Sequence, residues 1–473
     1  MNADEAKKLS RDEFHRYAAA LCPETRMVID GELVEARSGA IFETVNPATG
    51  AVIASLPQGD AAEIDLAVAA ARRAFKSGVW SRLEPRARMQ VLYRFAQAID
   101  EHTLEFALLD SLDVGKPVMD MITGDVPAAA LTFQYFAETI DKVEGTVTTT
   151  ASDAFHYILR QPLGVVGCIT PWNYPLLMTA WKVAPALAVG NSVVLKPAQQ
   201  SPLSAVLLAR LFLDAGGPPG VFNVVHGTGG TAGKALALHM DVDKISFTGS
   251  TEIGKLMMVY AGQSNLKRVT VETGGKSPQI FTADTPDLDR AVDYAITGIY
   301  ANKGEMCSAG SRLLVESTIH DKFVERFAEK AQTAFHIGDP LDPATTMGPL
   351  VNRTQQQRVL SYIDRGRDEG ASLALGGGTP SGLDQGAYVE PTLFTRVTPA
   401  MTIAREEIFG PVAAVVPFST IGEAVAIAND TIFGLAAGIW TSDLATAHKM
   451  ARDIDAGVIW VNCYDHGDMT QPW

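Results

Sequence analysis

A single thiol in a run of small and polar residues is the strongest chemical feature of this chain: Cys307 lies in "GEMCSAGSR", residues 304–312. The other three cysteines, Cys22, Cys168 and Cys463, are scattered along the chain without a CxxC pair. This spacing argues against disulfides and structural zinc, and we expect no metal. Cys168 and Cys463 lie in apolar, strand-like stretches typical of buried small residues. Cys307 is therefore the candidate nucleophile.

Polar side chains that could assist a nucleophile follow apolar strands elsewhere in the chain. Asn173 in "TPWNYPL" could hold a developing oxyanion, since ligand sites in open α/β sheets lie beyond the strand ends; the alternative is a turn-forming asparagine between prolines. Glu272 in "VETGGKSP" precedes two glycines that allow close backbone approach, and its alternative is a solvated turn carboxylate. Glu406 and Glu407 in "EEIFGPV" precede an aromatic residue and a Gly-Pro corner. Each signal is weak alone.

Six motifs together resemble the aldehyde dehydrogenase superfamily along nearly the whole chain. "TPWNYPL", "VLKPAQQSP", "FTGSTEIG", "VETGGKSP", "GEMCSAGSR" and "EEIFGPV" occur in that family's order and at its spacing. The resemblance implies an enzyme that oxidises an aldehyde to a carboxylic acid with NAD, or alternatively NADP, as cofactor. An unperturbed thiol, with a pKa of about 8.5, is a few per cent thiolate at neutral pH yet a strong nucleophile.

The resemblance also assigns catalytic roles. Cys307 attacks the aldehyde, and its backbone N–H and the Asn173 amide stabilise the oxyanion of the thiohemiacetal. After hydride transfer leaves a thioester, Glu272 activates the water that hydrolyses it. Lys182 in "AWKVAP" resembles a family lysine near the active site, where a proton relay and a structural role are equally open. The residues that the resemblance assigns to the cofactor are Thr170, Trp172, Lys196, Gln199, Gly229, Phe247, Gly249, Ser250, Glu407 and Phe409.

Four positions depart from the family's usual pattern. Gln199 stands where many members have a glutamate that binds the adenosine ribose, which puts strict NAD preference in doubt. Thr273 replaces a leucine after the general base, and we expect this change to alter water access. Glu305 replaces a glutamine, and its charge would disfavour the thiolate if both groups faced one cavity. Finally, the sequence stops at "DMTQPW" where members continue to a terminal strand, so either the sequence ends early or the assembly differs.

The substrate is indicated by the last stretch, "NCYDHGDMTQPW" at residues 462–473. It resembles the entrance loop of members acting on polyamine-derived aldehydes, particularly γ-glutamyl-γ-aminobutyraldehyde. Asp465 and Asp468 could attract an amine, and Tyr174, Met178 and Trp181 could form an apolar tunnel wall. The alternative is a pair of solvated loop carboxylates beside a packed aromatic face.

Three rival functions stay open at this point. A CoA-acylating aldehyde dehydrogenase would resolve the thioester with CoA, but such enzymes generally lack a base like Glu272. A non-catalytic structural protein on the same fold would not need Cys307, Asn173 and Glu272 together. A papain-like thiol hydrolase would leave the cofactor motifs unexplained, and the nine histidines show no signature of a partner base.

Strand and helix patterns that alternate along the chain must position these residues. They predict an α/β fold with two doubly wound domains, one binding the cofactor and one catalytic, that meet near residue 274 at "TGG". The first helix, "DAAEIDLAVAAARRAF", opens with Asp60 and Glu63 at capping-box spacing. A Thr-rich stretch predicts a small β-hairpin for oligomerisation, by pairing with the edge of another subunit; the alternative is a hairpin with no partner on the surface. We expect the cofactor-binding domain at 1–138 and 163–273, the hairpin at 139–162, the catalytic domain at 274–467 and a tail at 468–473.

Composition limits the partners. The 473 residues carry a net charge of −15, which opposes binding to nucleic acid or to an anionic membrane. The N-terminal segment mixes both charges, and no apolar run approaches the ~20 residues of a membrane span. We therefore expect a cytoplasmic enzyme with a small-molecule aldehyde substrate, assembled as a homodimer or homotetramer.

Overall fold

A computed structural model describes residues 1–471 of the chain, which fold as two compact units. The first unit comprises residues 1–45, 52–113 and 118–272, and the second comprises residues 46–51, 114–117 and 273 onward. Residues 472–473, the end of the expected tail, lie outside the described residues. No helix in the described part is long and apolar enough to cross a membrane.

The strands and helices alternate through most of the chain. The strands are β1 Met27–Ile29, β2 Glu32–Val34, β3 Ile41–Val45, β4 Val52–Pro57, β5 Thr146–Thr148, β6 His156–Ile158, β7 Val165–Ile169, β8 Ser192–Lys196, β9 Phe222–Val224, β10 Lys244–Thr248, β11 Arg268–Glu272, β12 Pro278–Phe281, β13 Arg312–Glu316, β14 Ser372–Leu375, β15 Thr392–Thr395, β16 Val412–Phe418, β17 Ala436–Trp440 and β18 Val458–Val461. The α-helices are α1 Ala3–Ala6, α2 Arg11–Ala20, α3 Ala61–Ser77, α4 Pro85–Glu101, α5 Thr103–Val114, α6 Val118–Asp120, α7 Val126–Thr139, α8 Pro175–Ala188, α9 Leu203–Asp214, α10 Lys234–Leu238, α11 Thr251–Gln263, α12 Leu288–Tyr300, α13 His320–Ala334, α14 Arg353–Asp368, α15 Thr402–Arg405, α16 Ile421–Asn429 and α17 Leu444–Asp453.

The first unit is built on a seven-stranded sheet within the described residues, in the order β11-β10-β7-β8-β9-β1-β2. The strands from β11 to β9 are parallel, and β1 and β2 complete one edge as antiparallel strands. Strands β7 and β8 are buried along their whole length, as expected of the continuous apolar runs in a sheet covered on both faces. The predicted α/β fold is confirmed, although β1 and β2 were not predicted.

Helix α3 shows how local sequence starts an element of this unit. The Asp60 side chain accepts a hydrogen bond from the backbone N–H of Ala62, and Glu63 completes the predicted capping box. Its apolar face then packs in a core with residues of β7 and β8. The Thr-rich stretch forms a separate two-stranded antiparallel sheet, β5 with β6, in the same unit.

The second unit holds another seven-stranded sheet in the described residues, ordered β14-β15-β16-β13-β12-β17-β18. All pairs are parallel except β14 with β15 at one edge. Its core includes Ile280, Leu314, Val416 and Ile439, which come from four neighbouring strands. The edge strand β14, its neighbour β15 and helix α14 were not predicted from the sequence.

Two short segments pack differently from the predicted domain boundaries. Residues 46–51 and 114–117 were assigned to the first domain, but they belong to the second unit. The Pro47 carbonyl accepts a hydrogen bond from the Ala387 N–H at 2.9 Å. The Val114 carbonyl accepts one from Lys303 Nζ at 3.1 Å. These long-range bonds leave no local signal in the sequence.

Candidate active site

Candidate residues of the first unit lie at the carboxyl ends of neighbouring parallel strands. Strand β11 ends at Glu272, which pairs directly with Thr248 at the end of β10. Thr170 follows β7, and its N–H donates to the carbonyl of Lys196, the last residue of β8, at 3.3 Å. Because these strands are adjacent and parallel, their ends form one row along one edge of the sheet. The topology therefore brings these four positions to a single edge.

The N-terminus of helix α11 offers a fit for a phosphate group. Ser250 caps the helix by accepting a hydrogen bond from the Ile253 N–H at 3.4 Å. A Cβ on Gly249 would come within 2.5 Å of the Phe247 ring, so glycine is required there. The Thr251 hydroxyl is buried and makes no hydrogen bond within residues 1–471. Backbone N–H groups and the helix dipole favour an anion at such an end, so the residues fit the pyrophosphate of a dinucleotide.

The remaining cofactor candidates of this unit differ in exposure. Lys196 is 4% exposed, and burial lowers the pKa of its ammonium to about 8. Gln199 and Trp172 are partly buried. Gly229 is exposed, and a Cβ built on it would meet nothing within 4 Å. The space beside Gly229 is therefore open, as a backbone that receives a ligand requires.

Helix α8 carries the candidate tunnel residues and the candidate relay lysine. Tyr174, Met178 and Trp181 have the i, i+4, i+7 spacing of one helix face. Lys182 Nζ donates to the Thr248 hydroxyl at 2.6 Å, so the ammonium is held at the end of β10. Asn173 is 5% exposed and lies in the loop between β7 and α8. The structure thus brings Lys182 to the sheet edge that also carries Glu272.

In the second unit, Cys307 lies in a loop whose backbone is closely packed. The residue is partly buried, between the buried residues Met306 and Ser308, and it forms no disulfide. A Cβ on Gly275 would come within 2.4 Å of the Cys307 carbonyl oxygen. The Gly310 N–H donates to the Gly298 carbonyl at 2.9 Å. The backbone of the candidate nucleophile is therefore fixed by close approach to two glycines.

An unusual turn precedes the nucleophile. Asn302, Lys303 and Gly304 all have positive φ, at 46°, 62° and 69°. This conformation is unfavourable for residues other than glycine, so neighbouring contacts must hold it. The Asn302 side chain donates to the Glu305 carbonyl at 3.2 Å. A Cβ on Gly304 would come within 2.2 Å of the Gly410 carbonyl oxygen, which explains glycine at the third position.

Glu305 forms a buried ion pair with Lys303. Lys303 Nζ lies 3.1 Å from Glu305 Oε2, and the two side chains are 1% and 0% exposed. Glu305 Oε1 accepts a hydrogen bond from the Val351 N–H at 2.9 Å. Burial raises the pKa of Glu305 to about 7, against the lowering effect of Lys303. We expected the negative charge of Glu305 to disfavour the Cys307 thiolate. That effect is offset, because Lys303 lies beside the carboxylate and because Glu305 holds its proton more tightly than usual.

The two glutamates after helix α15, Glu406 and Glu407, form hydrogen bonds with different partners. Glu407 Oε1 accepts a hydrogen bond from the Gly275 N–H at 3.2 Å, and a Cβ on Gly274 would come within 2.1 Å of Glu407 Oε2. Burial raises the pKa of Glu407. Glu406 instead accepts a hydrogen bond from the Tyr362 hydroxyl at 2.7 Å. Both glycines after Glu272 are therefore needed for close approach, one to the Glu407 carboxylate and the other to the Cys307 carbonyl.

Phe409 and the two loop aspartates complete the candidate set of the second unit. Phe409 has a positive φ of 59°, and its carbonyl accepts a hydrogen bond from the Gln355 side chain at 2.7 Å. Asp465 accepts one from the Ser308 hydroxyl at 3.3 Å. Asp468 is exposed and accepts one from the Thr470 N–H at 2.7 Å. Asp465 thus contacts the residue next to Cys307, whereas Asp468 caps its own turn.

Several residues around these sites were missed by sequence reasoning. Lys303 pairs with Glu305 and also bonds the distant Val114 carbonyl, and Tyr464 bonds the Ser308 carbonyl from a loop far along the chain. Lys276 is 2% exposed, its Nζ makes no hydrogen bond within residues 1–471, and burial lowers its pKa to about 7. The signal that could have found Lys276 is its position two residues before the apolar strand β12.

Comparisons with known proteins identify what the chain is similar to. The model of the aldehyde dehydrogenase family matches residues 33–473. The NADP/NAD-dependent aldehyde dehydrogenase PuuC of Escherichia coli K12 is 46% identical over 96% of this chain and 91% of its own length.

Two solved structures are similar over nearly all of the chain. A γ-glutamyl-γ-aminobutyraldehyde dehydrogenase from Burkholderia cenocepacia J2315 is 52% identical, with a TM-score of 0.95 over 97% of this chain and 92% of that one. An indole-3-acetaldehyde dehydrogenase in complex with NAD+ is 50% identical, with a TM-score of 0.97 over 98% and 94%. The resemblance predicted from the six motifs is confirmed.

Proposed function

Because the chain belongs to the aldehyde dehydrogenase family, we propose that it oxidises an aldehyde to a carboxylic acid by hydrolytic, Cys307-dependent catalysis with NAD or NADP. The observation that carries this proposal is the Cys307 segment, where a partly exposed thiol sits on a backbone fixed by Gly275 and Gly298. A nucleophile that must attack a carbonyl needs such a fixed geometry.

The chain's own groups then divide the reaction between them. The Cys307 thiolate attacks the aldehyde carbon, and the Cys307 N–H and the Asn173 amide donate to the oxyanion. Losing one such donor typically raises the barrier by about 3 to 4 kcal/mol. The bound nicotinamide supplies the hydride acceptor. Glu272 takes a proton from the water that attacks the resulting thioester, which releases the acid and restores the thiol.

The residues that would hold NAD lie at the sheet edge of the first unit and in the second unit. Ser250 and the α11 N–H groups would take the pyrophosphate, and Lys196 would bond the adenosine ribose. Glu407 and Phe409 would hold the nicotinamide ribose. Gln199 carries no negative charge that would repel a 2′-phosphate, so we include NADP as a cofactor. The relative PuuC is itself named as an NADP/NAD-dependent enzyme.

For the substrate, we propose an amino aldehyde of the kind that arises from polyamine breakdown. Asp465 and Asp468 lie in the loop after β18, and Asp465 contacts Ser308, the neighbour of Cys307. A carboxylate near the nucleophile would attract a substrate ammonium group. The names of the Burkholderia cenocepacia enzyme and of the indole-3-acetaldehyde enzyme, both similar to this chain, point to two different aldehydes, so both belong in the test.

Assembly and location remain predictions. The β5–β6 hairpin exposes apolar side chains, with Val147 67%, Phe155 75% and Tyr157 54% exposed. An isolated two-stranded hairpin is at best marginally stable in water, so we propose that it pairs with another subunit in a homodimer or homotetramer. Light scattering at micromolar concentration tests this, and a monomer would contradict it. The cytoplasmic location expected from the sequence also stays a prediction.

The function is tested by aldehyde-dependent NAD(P)H formation with γ-glutamyl-γ-aminobutyraldehyde, indole-3-acetaldehyde and hexanal, each with and without CoA. We expect turnover without CoA and loss of turnover in Cys307→Ala with NAD binding retained. Turnover that requires CoA would instead identify an acylating enzyme. Parental activity in Cys307→Ala would exclude the proposed nucleophile. In Asp465→Asn, a KM that rises for the amino aldehyde but not for hexanal would support the substrate proposal, and equal effects on both would reject it.

A further inference from the structure

The residue after the candidate nucleophile is held by two consecutive residues of a loop far along the chain. The Ser308 carbonyl accepts a hydrogen bond from the Tyr464 hydroxyl at 2.6 Å. The Ser308 hydroxyl donates to Asp465 at 3.3 Å. We propose that Tyr464 is a positioning residue for aldehyde oxidation, whose hydroxyl fixes the backbone that carries Cys307. The inference rests on the proposed role of Cys307.

Close contacts hold the Tyr464 side chain in place. It is 4% exposed, and a Cβ on Gly298 or on Gly438 would come within 2.8 or 2.7 Å of its ring. The Trp460 ring packs against it with a centroid separation of 4.8 Å. Burial raises the pKa of the Tyr464 hydroxyl well above its usual range, so it stays a proton donor at working pH. Glycines at two positions thus make room for one tyrosine.

The loop that presents Tyr464 has a conformation held at both ends. Asn462 and Asp465, on either side of the tyrosine, have positive φ, at 55° and 53°, a conformation that is uncommon for residues other than glycine. The Asn462 side chain accepts a hydrogen bond from the Thr441 N–H at 3.1 Å and donates to the Thr441 carbonyl at 2.9 Å. Trp460 Nε1 donates to the His466 carbonyl at 2.8 Å. The hydroxyl therefore reaches Ser308 from a rigid support.

The nucleophile segment is contacted by backbone on its other sides. Gly275 approaches the Cys307 carbonyl, and the Gly298 carbonyl accepts a hydrogen bond from the Gly310 N–H. In the peptide between residues 308 and 309, the Ala309 N–H donates to the Met306 carbonyl at 3.2 Å. The Tyr464 hydrogen bond fixes the direction of the carbonyl in that peptide. Since a misplacement of about 1 Å at a reacting group can reduce the rate ~100-fold, removing this bond should act on the chemical step. The same loop continues to Asp465 and Asp468, so it couples substrate recognition to the nucleophile.

The experiment compares Tyr464→Phe with a matched control, Tyr388→Phe. Tyr388 is 2% exposed, lies in the same unit, and donates its hydroxyl to the Gly338 carbonyl at 3.0 Å. Each substitution removes one buried hydroxyl from one backbone carbonyl, so both should lower Tm by a similar amount. The readouts are kcat, KM for the aldehyde, NADH binding, and the rate at which iodoacetamide alkylates Cys307, located by mass spectrometry.

We expect Tyr464→Phe to lower kcat by roughly 10- to 100-fold with KM changed by less than about 3-fold, as for a displaced reacting group. Tyr388→Phe should keep both constants, and both variants should bind NADH normally. Equal kcat in the two variants would overturn the inference, and a raised KM with unchanged kcat would assign Tyr464 to the substrate entrance instead. If the parent oxidised no aldehyde, the proposed function would fail. The alkylation rate would then decide the positioning role, because a rate changed only in Tyr464→Phe supports it and an unchanged rate rejects it.

Discussion

Lys303 and Glu305, the buried pair before Cys307, should make the stability of the protein depend on pH. Glu305 is fully buried beside Lys303 and accepts a hydrogen bond from the Val351 N–H. Burial raises the pKa of the carboxyl from 4.5 to about 7, which means that desolvation outweighs the attraction of the cation. The substitution Glu305→Gln resembles the protonated carboxyl in shape and keeps an acceptor for Val351. We expect this variant to fold normally.

The direction in which stability changes with pH follows from the number of protons bound in the folded and unfolded states. Between its ordinary pKa and about 7, Glu305 is protonated in the folded protein and ionised in the unfolded one. The stability that this proton contributes is present below 4.5 and is lost as pH rises through about 7. One pKa unit is worth ~1.4 kcal/mol, so the parent should lose up to about 3 kcal/mol relative to Glu305→Gln across this range.

The assay is scanning calorimetry of the parent and the variant from pH 4.5 to 8.5 at one scan rate. At roughly 2 to 4 °C per kcal/mol for a unit of this size, the variant's Tm should gain about 5 to 12 °C on the parent as pH rises. Lys303→Gln removes the cation that opposes the pKa rise, so its stability should fall over a range that extends further above neutrality. In the double variant with Glu305→Gln and Lys303→Gln, the Tm should show neither of these pH dependences.

The opposite pH trend would refute this reasoning. If Glu305→Gln lost stability relative to the parent as pH rose, the carboxylate would be the favoured form, and Lys303 would stabilise it by more than burial destabilises it. A Tm difference that did not change with pH would show that Glu305 has an ordinary pKa in the folded protein.

The remaining predictions concern catalysis, cofactor choice and acid stability. Glu272→Gln should give one burst of NAD(P)H and then stall, because attack needs no base at that position; steady turnover at the parental rate would require another base. Gln199→Glu should raise the KM for NADP at least about tenfold more than that for NAD, since two charges ~4 Å apart repel by roughly 4 kcal/mol before solvent screening; a parental preference for NAD above about a thousandfold would show that another group excludes the phosphate. His226 is fully buried, and burial lowers its pKa to about 3. Relative to His226→Leu, the parent should therefore lose about 2 to 3 kcal/mol between pH 6.5 and 4.5, because at His226 the unfolded state alone gains a proton. His226→Leu should lose less over that range by calorimetry, and parallel Tm curves would contradict this.

The parallel sheets and the family could be predicted because their signals are local. Apolar runs such as those of β7 and β8, each followed by a helical pattern, place Thr170 and Lys196 at strand ends without knowledge of any contact. The motif around Cys307 is equally local, and the family it indicates is confirmed. The roles of the individual site residues remain predictions.

The contacts that hold the nucleophile could not be predicted because they join distant residues. Nothing around Lys303 shows that its ammonium bonds Val114, and nothing around Tyr464 shows that its hydroxyl reaches Ser308. The turn at Asn302 and Lys303 is also hidden, since neither is glycine and both have positive φ. Short edge strands such as β2 and β14 were missed because three or four residues give too little periodicity.

The segment at residues 114–117, which packs with the second unit, has a consequence for synthesis. Its Val114 carbonyl bonds Lys303, 189 residues later. A ribosome adding ~5 to 20 residues per second needs roughly 10 to 40 s to make that stretch, so the segment leaves the exit tunnel long before its partner exists. A fragment that began at residue 273 would lack both 46–51 and 114–117. Expression of the second unit alone should therefore give an insoluble product, and co-expression with residues 1–272 is the natural way to recover it.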